Sequence, residues 1–172
     1  AAGGPDAVAI EPIAATLGTC KGSGYWHFAS RSALLAAVLD RWSVVATDHI
    51  IEEIESVGGA ARERLERLLH LVTAAIERHP GEVLTLAHAD PLVRRAVREV
   101  TAGRIDYVAA LIREIGFASA EAKRRAVLAY AAYVGYAQLA ATVPDQLPST
   151  DRARASLQRT MVDIFATPRE TP

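Results

Sequence analysis

The chain has 172 residues, of which 51% are hydrophobic and 23% charged. That is enough for a substantial core, too little for several large domains, and too apolar for intrinsic disorder. The net charge of −1 leaves no overall basic footprint of the kind a nucleic-acid binder carries. Alanine, leucine, arginine and glutamate favour helix, and no alternating apolar segment is framed by hairpin turns. The lone Cys20 excludes an intramolecular disulfide and suits a reducing cytoplasm. No basic-then-apolar leader opens the sequence, so no secretion signal is expected.

A first short helix is predicted near Ala9 to Leu17, with Pro12 tolerated in its first turn and Gly18 ending it. A polar break, Thr19-Cys20-Lys21-Gly22, precedes a second short helix near Lys21 to Phe28 with the aromatic run Tyr25-Trp26-His27-Phe28. Two short helices around a tight glycine-containing turn are the layout of a helix-turn-helix. Ser30 is placed to cap a long helix reaching about Val57, on which Leu35, Val38, Trp42, Val45 and His49 share one face. Gly58-Gly59 breaks it. The next helix, about Ala60 to Arg78, has a buried stripe of Leu65, Leu68, Leu69, Val72 and Ile76, and Glu63 and Arg67 are spaced as an i,i+4 pair.

His79-Pro80-Gly81 stops that helix, and a short one is expected from Glu82 to His88. Asp90 caps another, with Pro91 at its first position, running to Gly116 with Val93, Val97, Val100, Ile105, Val108 and Ile112 as apolar positions. A helix starting around Ser119 runs to about Thr142. Its apolar run Ala126 to Ala141 is shorter than the roughly 20 residues of a membrane span, so it reads as a buried or interfacial helix. A last helix covers about Thr150 to Phe165, with Leu157, Met161, Ile164 and Phe165 on one side. The reading is all-α: a helix-turn-helix head in residues 1–42 and a helical body in residues 43–172.

Residues 13 to 39 resemble the DNA-binding segment of the tetracycline-repressor (TetR) family of bacterial regulators. The resemblance is carried by Ile13-Ala14, Gly18, Lys21-Gly22-Ser23, Tyr25-Trp26-His27-Phe28 and Arg31-Ser32-Ala33-Leu34-Leu35. It implies that Lys21, Gly22, Tyr25, Trp26 and His27 touch operator DNA and that Arg31 lies close to a phosphate. Phe28 would anchor the recognition helix, with Tyr25, Trp26 and His27 facing outward. Without that motif, the four aromatic residues read as a packed cluster of an all-α domain.

The sequence departs from the family pattern at Gly24, in place of a large aliphatic residue, at Thr19-Cys20, in place of an apolar residue and a serine cap, and at Ala9, in place of a hydroxyl cap. Residues 1–42 also balance Lys21, Arg31 and Arg41 against Asp6, Glu11 and Asp40. Cys20 is read as a buried or inert thiol. Family members begin with an arm and a helix that packs under the helix-turn-helix. The sequence opens on what looks like the end of that helix, so a longer N-terminus is expected. Without that helix Ile13, Leu17 and Phe28 would be exposed.

The rest of the chain fits the family by length and helical pattern, which implies a homodimer built on the C-terminal helices and an effector pocket between the others. The helix to Thr142 is apolar nearly all round, and Ala131, Ala132 and Gly135 permit close approach, with Leu157, Met161 and Ile164 of the last helix completing the interface. The alternative for this helix is the centre of a monomer. Candidate pocket residues are Trp42, His49, His70, Thr73, His88, Arg104, Tyr107, Tyr130, Tyr133 and Gln138.

The expected function is a DNA-binding transcriptional regulator, a repressor released by a small molecule, located in the cytoplasm and binding no membrane. A dimeric ligand-binding protein with a degenerate head is the second reading. No enzyme, cofactor or metal is expected. The histidines His27, His49, His70, His79 and His88 include no i,i+4 pair, and no nucleophile elbow, P-loop or dinucleotide fingerprint occurs.

Overall fold

The computed structural model describes residues 8–18, 20, 22, 26–78 and 90–168. No strand occurs among them. The helices are α1 (Ile10–Thr16), α2 (Arg31–Ser43), α3 (His49–Val57), α4 (Ala61–Arg78), α5 (Pro91–Ile115), α6 (Ser119–Thr142) and α7 (Asp151–Ala166). A π-helical turn, Val44–Asp48, joins α2 to α3, and a short 3-10 turn, Pro144–Gln146, follows α6. The predicted helix from Glu82 to His88 lies outside the described residues.

Local chemistry sets the helix ends. Ser30 Oγ accepts the Ala33 N–H at 3.1 Å, and Asp90 Oδ1 accepts the Leu92 N–H at 2.8 Å with Pro91 at the first helical position. Thr150 Oγ1 accepts the Ala153 N–H at 3.3 Å. At the far end of α5, Gly116 adopts a φ of +118°, a conformation that costs a residue with a Cβ far more than glycine. The pair expected between Glu63 and Arg67 is not made. Glu63 Oε2 instead accepts the Ala60 N–H at 3.0 Å, capping α4. Arg67 Nη1 donates to the carbonyls of Ile54 and Gly58 at 3.3 and 3.1 Å, at the negative C-terminal end of α3.

The long helix predicted from Ser30 to Val57 is continuous in direction but not in register. A π turn adds one residue to the α-helical repeat. The face carrying Leu35, Val38, Trp42 and Val45 therefore continues through Ile50, Ile51 and Ile54, and His49 is turned out to solvent. This corrects the expectation for His49.

Helices α4, α5, α6 and α7 form the body, with α2 leaning on α5 and α3 on α4. Their core holds Leu65, Leu111, Ile112, Ala122, Ala126 and Val162. Small residues on α6 let it lie close to its neighbours. Fully burying a leucine or isoleucine such as Leu111 or Ile112 contributes about 1.5–3 kcal/mol each. A second cluster, Val8, Ile10, Leu34, Leu35, Leu39 and Val93, makes the core of the head. Val93 belongs to α5, so head and body share this cluster, and residue 42 falls inside a continuous run of helix. Leu17 is exposed, whereas Ile13 and Phe28 are partly buried against the head core. No helix among the described residues is long and apolar enough to cross a membrane.

Candidate functional site

The head presents part of its sequence-predicted surface. Gly22, Trp26 and His27 are helical and exposed, and Trp26 is 83% accessible. The Trp26 and His27 rings meet edge to face at 4.9 Å. Phe28 packs inward, which orients Trp26 and His27 away from the core. Arg31 is the first residue of α2, with Nη1 3.8 Å from Asp90 Oδ2 at the start of α5. Lys21, Tyr25 and the departing residues Thr19 and Gly24 lie outside the described residues. Ala9 stands at the N-cap of α1 without a side-chain cap, and Cys20 is exposed rather than buried.

Between α2, α3, α4, α5, α6 and α7 lies a cavity of about 570 Å³, within the roughly 300–1,000 Å³ range of small-molecule sites. α2 and the π turn supply Val38, Arg41, Trp42, Val45 and Thr47, and α3 supplies Ile50 and Ile51. Leu65, Leu68, Leu69, Val72 and Ile76 of α4 make an aliphatic wall. Opposite it stand Arg104, Tyr107, Val108, Tyr130 and Tyr133, with Met161 and Phe165 from α7.

Polar groups on this wall have defined partners. Arg104 Nε donates to Thr47 Oγ1 at 3.0 Å, and its guanidinium carbon lies 6.0 Å from the Trp42 ring centre and 5.9 Å from that of Tyr133. The Tyr130 hydroxyl and Thr101 Oγ1 are 3.1 Å apart. Tyr107 donates to Glu55 Oε1 at 2.6 Å, and Glu55 is also gripped by Arg64 at 2.8 and 2.9 Å, which pairs further with Glu114. Burial, then the bond to Glu55, push the Tyr107 phenol well above its ordinary pKa, and that bond holds Glu55 below the usual carboxylate value. Tyr107 thus offers the cavity its ring rather than its hydroxyl.

Of the pocket residues expected from sequence, Trp42, Arg104, Tyr107, Tyr130 and Tyr133 come together on the lining. His49, His70 and Gln138 are exposed and stand outside it. Thr73 is buried, but it serves structure: its hydroxyl donates to Leu69 O at 2.8 Å and accepts from Gln158 Nε2 at 2.7 Å. His88 lies outside the described residues. Arg41, Thr47, Ile50 and Ile51 add to the lining beyond the residues expected from sequence, and the stripe expected to be buried on α4 forms part of the cavity wall. Thr47, a hydroxyl within an apolar stretch, is the one signal that pointed there.

Residues 1–38 match the family described as bacterial regulatory proteins, tetR family. The match covers the head and does not extend into the body. No curated protein matches the sequence. The fold is similar to that of a transcriptional regulator, FadR from Bacillus subtilis, solved in complex with stearoyl-CoA. The TM-score is 0.64 over 97% of this chain and 91% of that one, at 14% sequence identity. Among the described residues, no three His, Cys, Asp or Glu side chains converge as a metal site.

On the body behind the TetR-type head, the residues proposed for dimerisation divide. Ala131, Gly135 and Ile164 are exposed, and Ile164 is 63% accessible. Leu128 and Leu139 extend the α6 stripe on the same side as Ala131 and Gly135. Ala132 is half-buried. Leu157 instead packs against the cluster of Ile76, Tyr136 and Ala137, and Met161 faces the cavity, because α7 turns that side toward α4.

Proposed function

We propose that the chain is a homodimeric transcriptional repressor that a small molecule bound in the cavity releases from its operator DNA. The observation that carries this reading is the helical run from Arg31 to Val57. Its first turns place Leu34, Leu35 and Leu39 in the head core, and its next turns place Val38, Trp42 and Val45 on the cavity. A molecule that binds one position of this run better than another shifts the head by that difference in affinity. The head, residues 1–42, contacts DNA through Lys21, Gly22, Tyr25, Trp26, His27 and Arg31. The body, residues 43–172, binds effector and pairs two chains, setting their recognition helices about one DNA turn apart, roughly 34–36 Å. FadR, similar in fold, is solved with a small molecule, stearoyl-CoA, which favours a ligand site in this body.

The test is fluorescence anisotropy of the full-length chain on DNA from upstream of its own gene, at several salt concentrations. Expected is binding tighter than to random DNA, falling steeply with salt as counterions are released. If selection from random sequences also returned no preferred site, the regulator reading would give way to a ligand-binding dimer with a degenerate head. The balanced charge of residues 1–42 favours that second reading.

A further inference from the structure

Polar groups on the cavity wall are bonded to other parts of the protein. Thr47 Oγ1 accepts from Arg104 Nε at 3.0 Å, the Tyr107 hydroxyl donates to Glu55 at 2.6 Å, and the Tyr130 hydroxyl meets Thr101 Oγ1 at 3.1 Å. The Arg104 guanidinium lies near the Trp42 and Tyr133 rings, and the ring centres of Tyr130 and Tyr133 are 5.7 Å apart. These aromatic residues therefore turn mainly ring surface to the cavity. Across from them, Leu65, Leu68, Leu69 and Val72 of α4 offer aliphatic surface. Exposure is graded along the lining: Val38, Arg41 and Val45 are open to solvent, whereas Leu65, Ile76 and Val162 are buried. A charged group carried to the buried end loses its water, and Thr47, Tyr107 and Tyr130 there already have their hydrogen bonds with other partners. An apolar group carried there loses no hydrogen bond and takes its own surface out of water.

We propose that the cavity selects an uncharged, mainly apolar molecule and discriminates against ions of either sign. The molecule packs between the aliphatic side of α4 and the rings of Trp42, Tyr130 and Tyr133. This rests on the reading of the cavity as the effector site and names the chemical class of that effector. Specificity of this kind comes from the charge that an unwanted ligand leaves unpaired, not from a polar bond to the wanted one.

The experiment is displacement of an uncharged apolar fluorophore, N-phenylnaphthylamine, from the full-length chain near neutral pH. The competitors are decanol, decanoate and decylammonium, each below its micelle-forming concentration. Decanol should displace the fluorophore at a concentration at least about tenfold lower than either ion, because each ion brings an unpaired charge out of water. Decanoate or decylammonium displacing it as well as decanol overturns the proposal. Val72→Phe, which fills part of the cavity, should weaken the fluorophore and decanol together by at least about fivefold. A V72F chain that melts cooperatively and binds both as the wild type does would place the binding elsewhere and overturn the proposal too. The wild-type comparison decides by itself should V72F not fold. A wild-type chain that binds no fluorophore would remove the effector-site reading, and the proposal with it. A wild-type chain that binds the fluorophore in the cavity but prefers an ion would remove the proposal alone.

Discussion

At the scale of single residues, this chain uses its polar side chains mainly to close the ends of helices and the rim of the cavity. Arg125 is one such case: it pairs with Glu121 and donates to the carbonyls of Ile164 and Phe165 at the end of α7. Its guanidinium also lies 4.2 Å from the Phe117 ring centre. The Glu55–Arg64–Tyr107 group does the same between α3, α4 and α5. Glu55 has a lowered pKa in the folded chain. Its contribution to stability is therefore complete above its unfolded value, about 4.3, and lost as pH falls through the lower folded value. Glu55 is exposed, so the effect is screened. Glu55→Gln should cost no more than about 1 kcal/mol near neutrality, a lowering of the melting temperature by about 2–4 °C. The difference from wild type should close as pH falls through the lowered folded value, where the wild-type carboxylate also loses its charge. Melting curves from pH about 3 to 7 check this, and a gap that widened in acid would contradict it.

Among elements, the π turn Val44–Asp48 has the largest consequence. It turns His49 outward and brings Ile50 and Ile51 onto the cavity, and it holds Thr47 where Arg104 reaches it. Such turns inside α-helices are uncommon and are often found at functional sites. Thr47 is buried, and Thr47→Val removes its acceptor without changing shape. It should lower stability by about 1.5–3 kcal/mol, the range for a bond to a charged group, while Thr47→Ser should stay close to wild type. Denaturant unfolding of the two variants is the measurement. A loss in Thr47→Ser with Thr47→Val close to wild type would mean that packing of the threonine methyl, not the bond to Arg104, matters at this position.

At the scale of the whole molecule, the apolar stripe Leu128, Ala131, Gly135 and Leu139 on α6 is unusual for an outer surface. No Cβ neighbour stands within 4 Å of Gly135, so a second helix meets little obstruction there. A dimer through this stripe predicts that Leu128→Glu yields a monomer by light scattering. DNA affinity should fall sharply because two half-sites are no longer linked, while the melting of the monomer's own core stays within about 0.5 kcal/mol. A variant that remains dimeric would place the interface elsewhere.

The all-helical class, the limits of the longer helices of the body and the motif from Ile13 to Leu35 were legible in the residues. Caps such as Ser30, Asp90 with Pro91, and Gly116 act within a few residues of themselves, so their meaning does not depend on the rest of the fold. The same locality explains why Phe28 could be separated from Trp26 and His27. What the tertiary structure alone decided concerns partners distant in sequence. Leu65, Leu68 and Val72 have the same spacing whether they meet other side chains or an open volume, and only the placement of α2, α3 and α5 opposite them made a cavity. The π turn inserts one residue into a periodic pattern, so every later position on that face, His49 first, changes side. Arg104 is separated from Thr47 by 57 positions, and its role arose when α5 brought the two to 3.0 Å. Short-range hydrogen bonding is written into neighbouring residues, whereas an empty volume and the charge facing it exist only once the helices have packed.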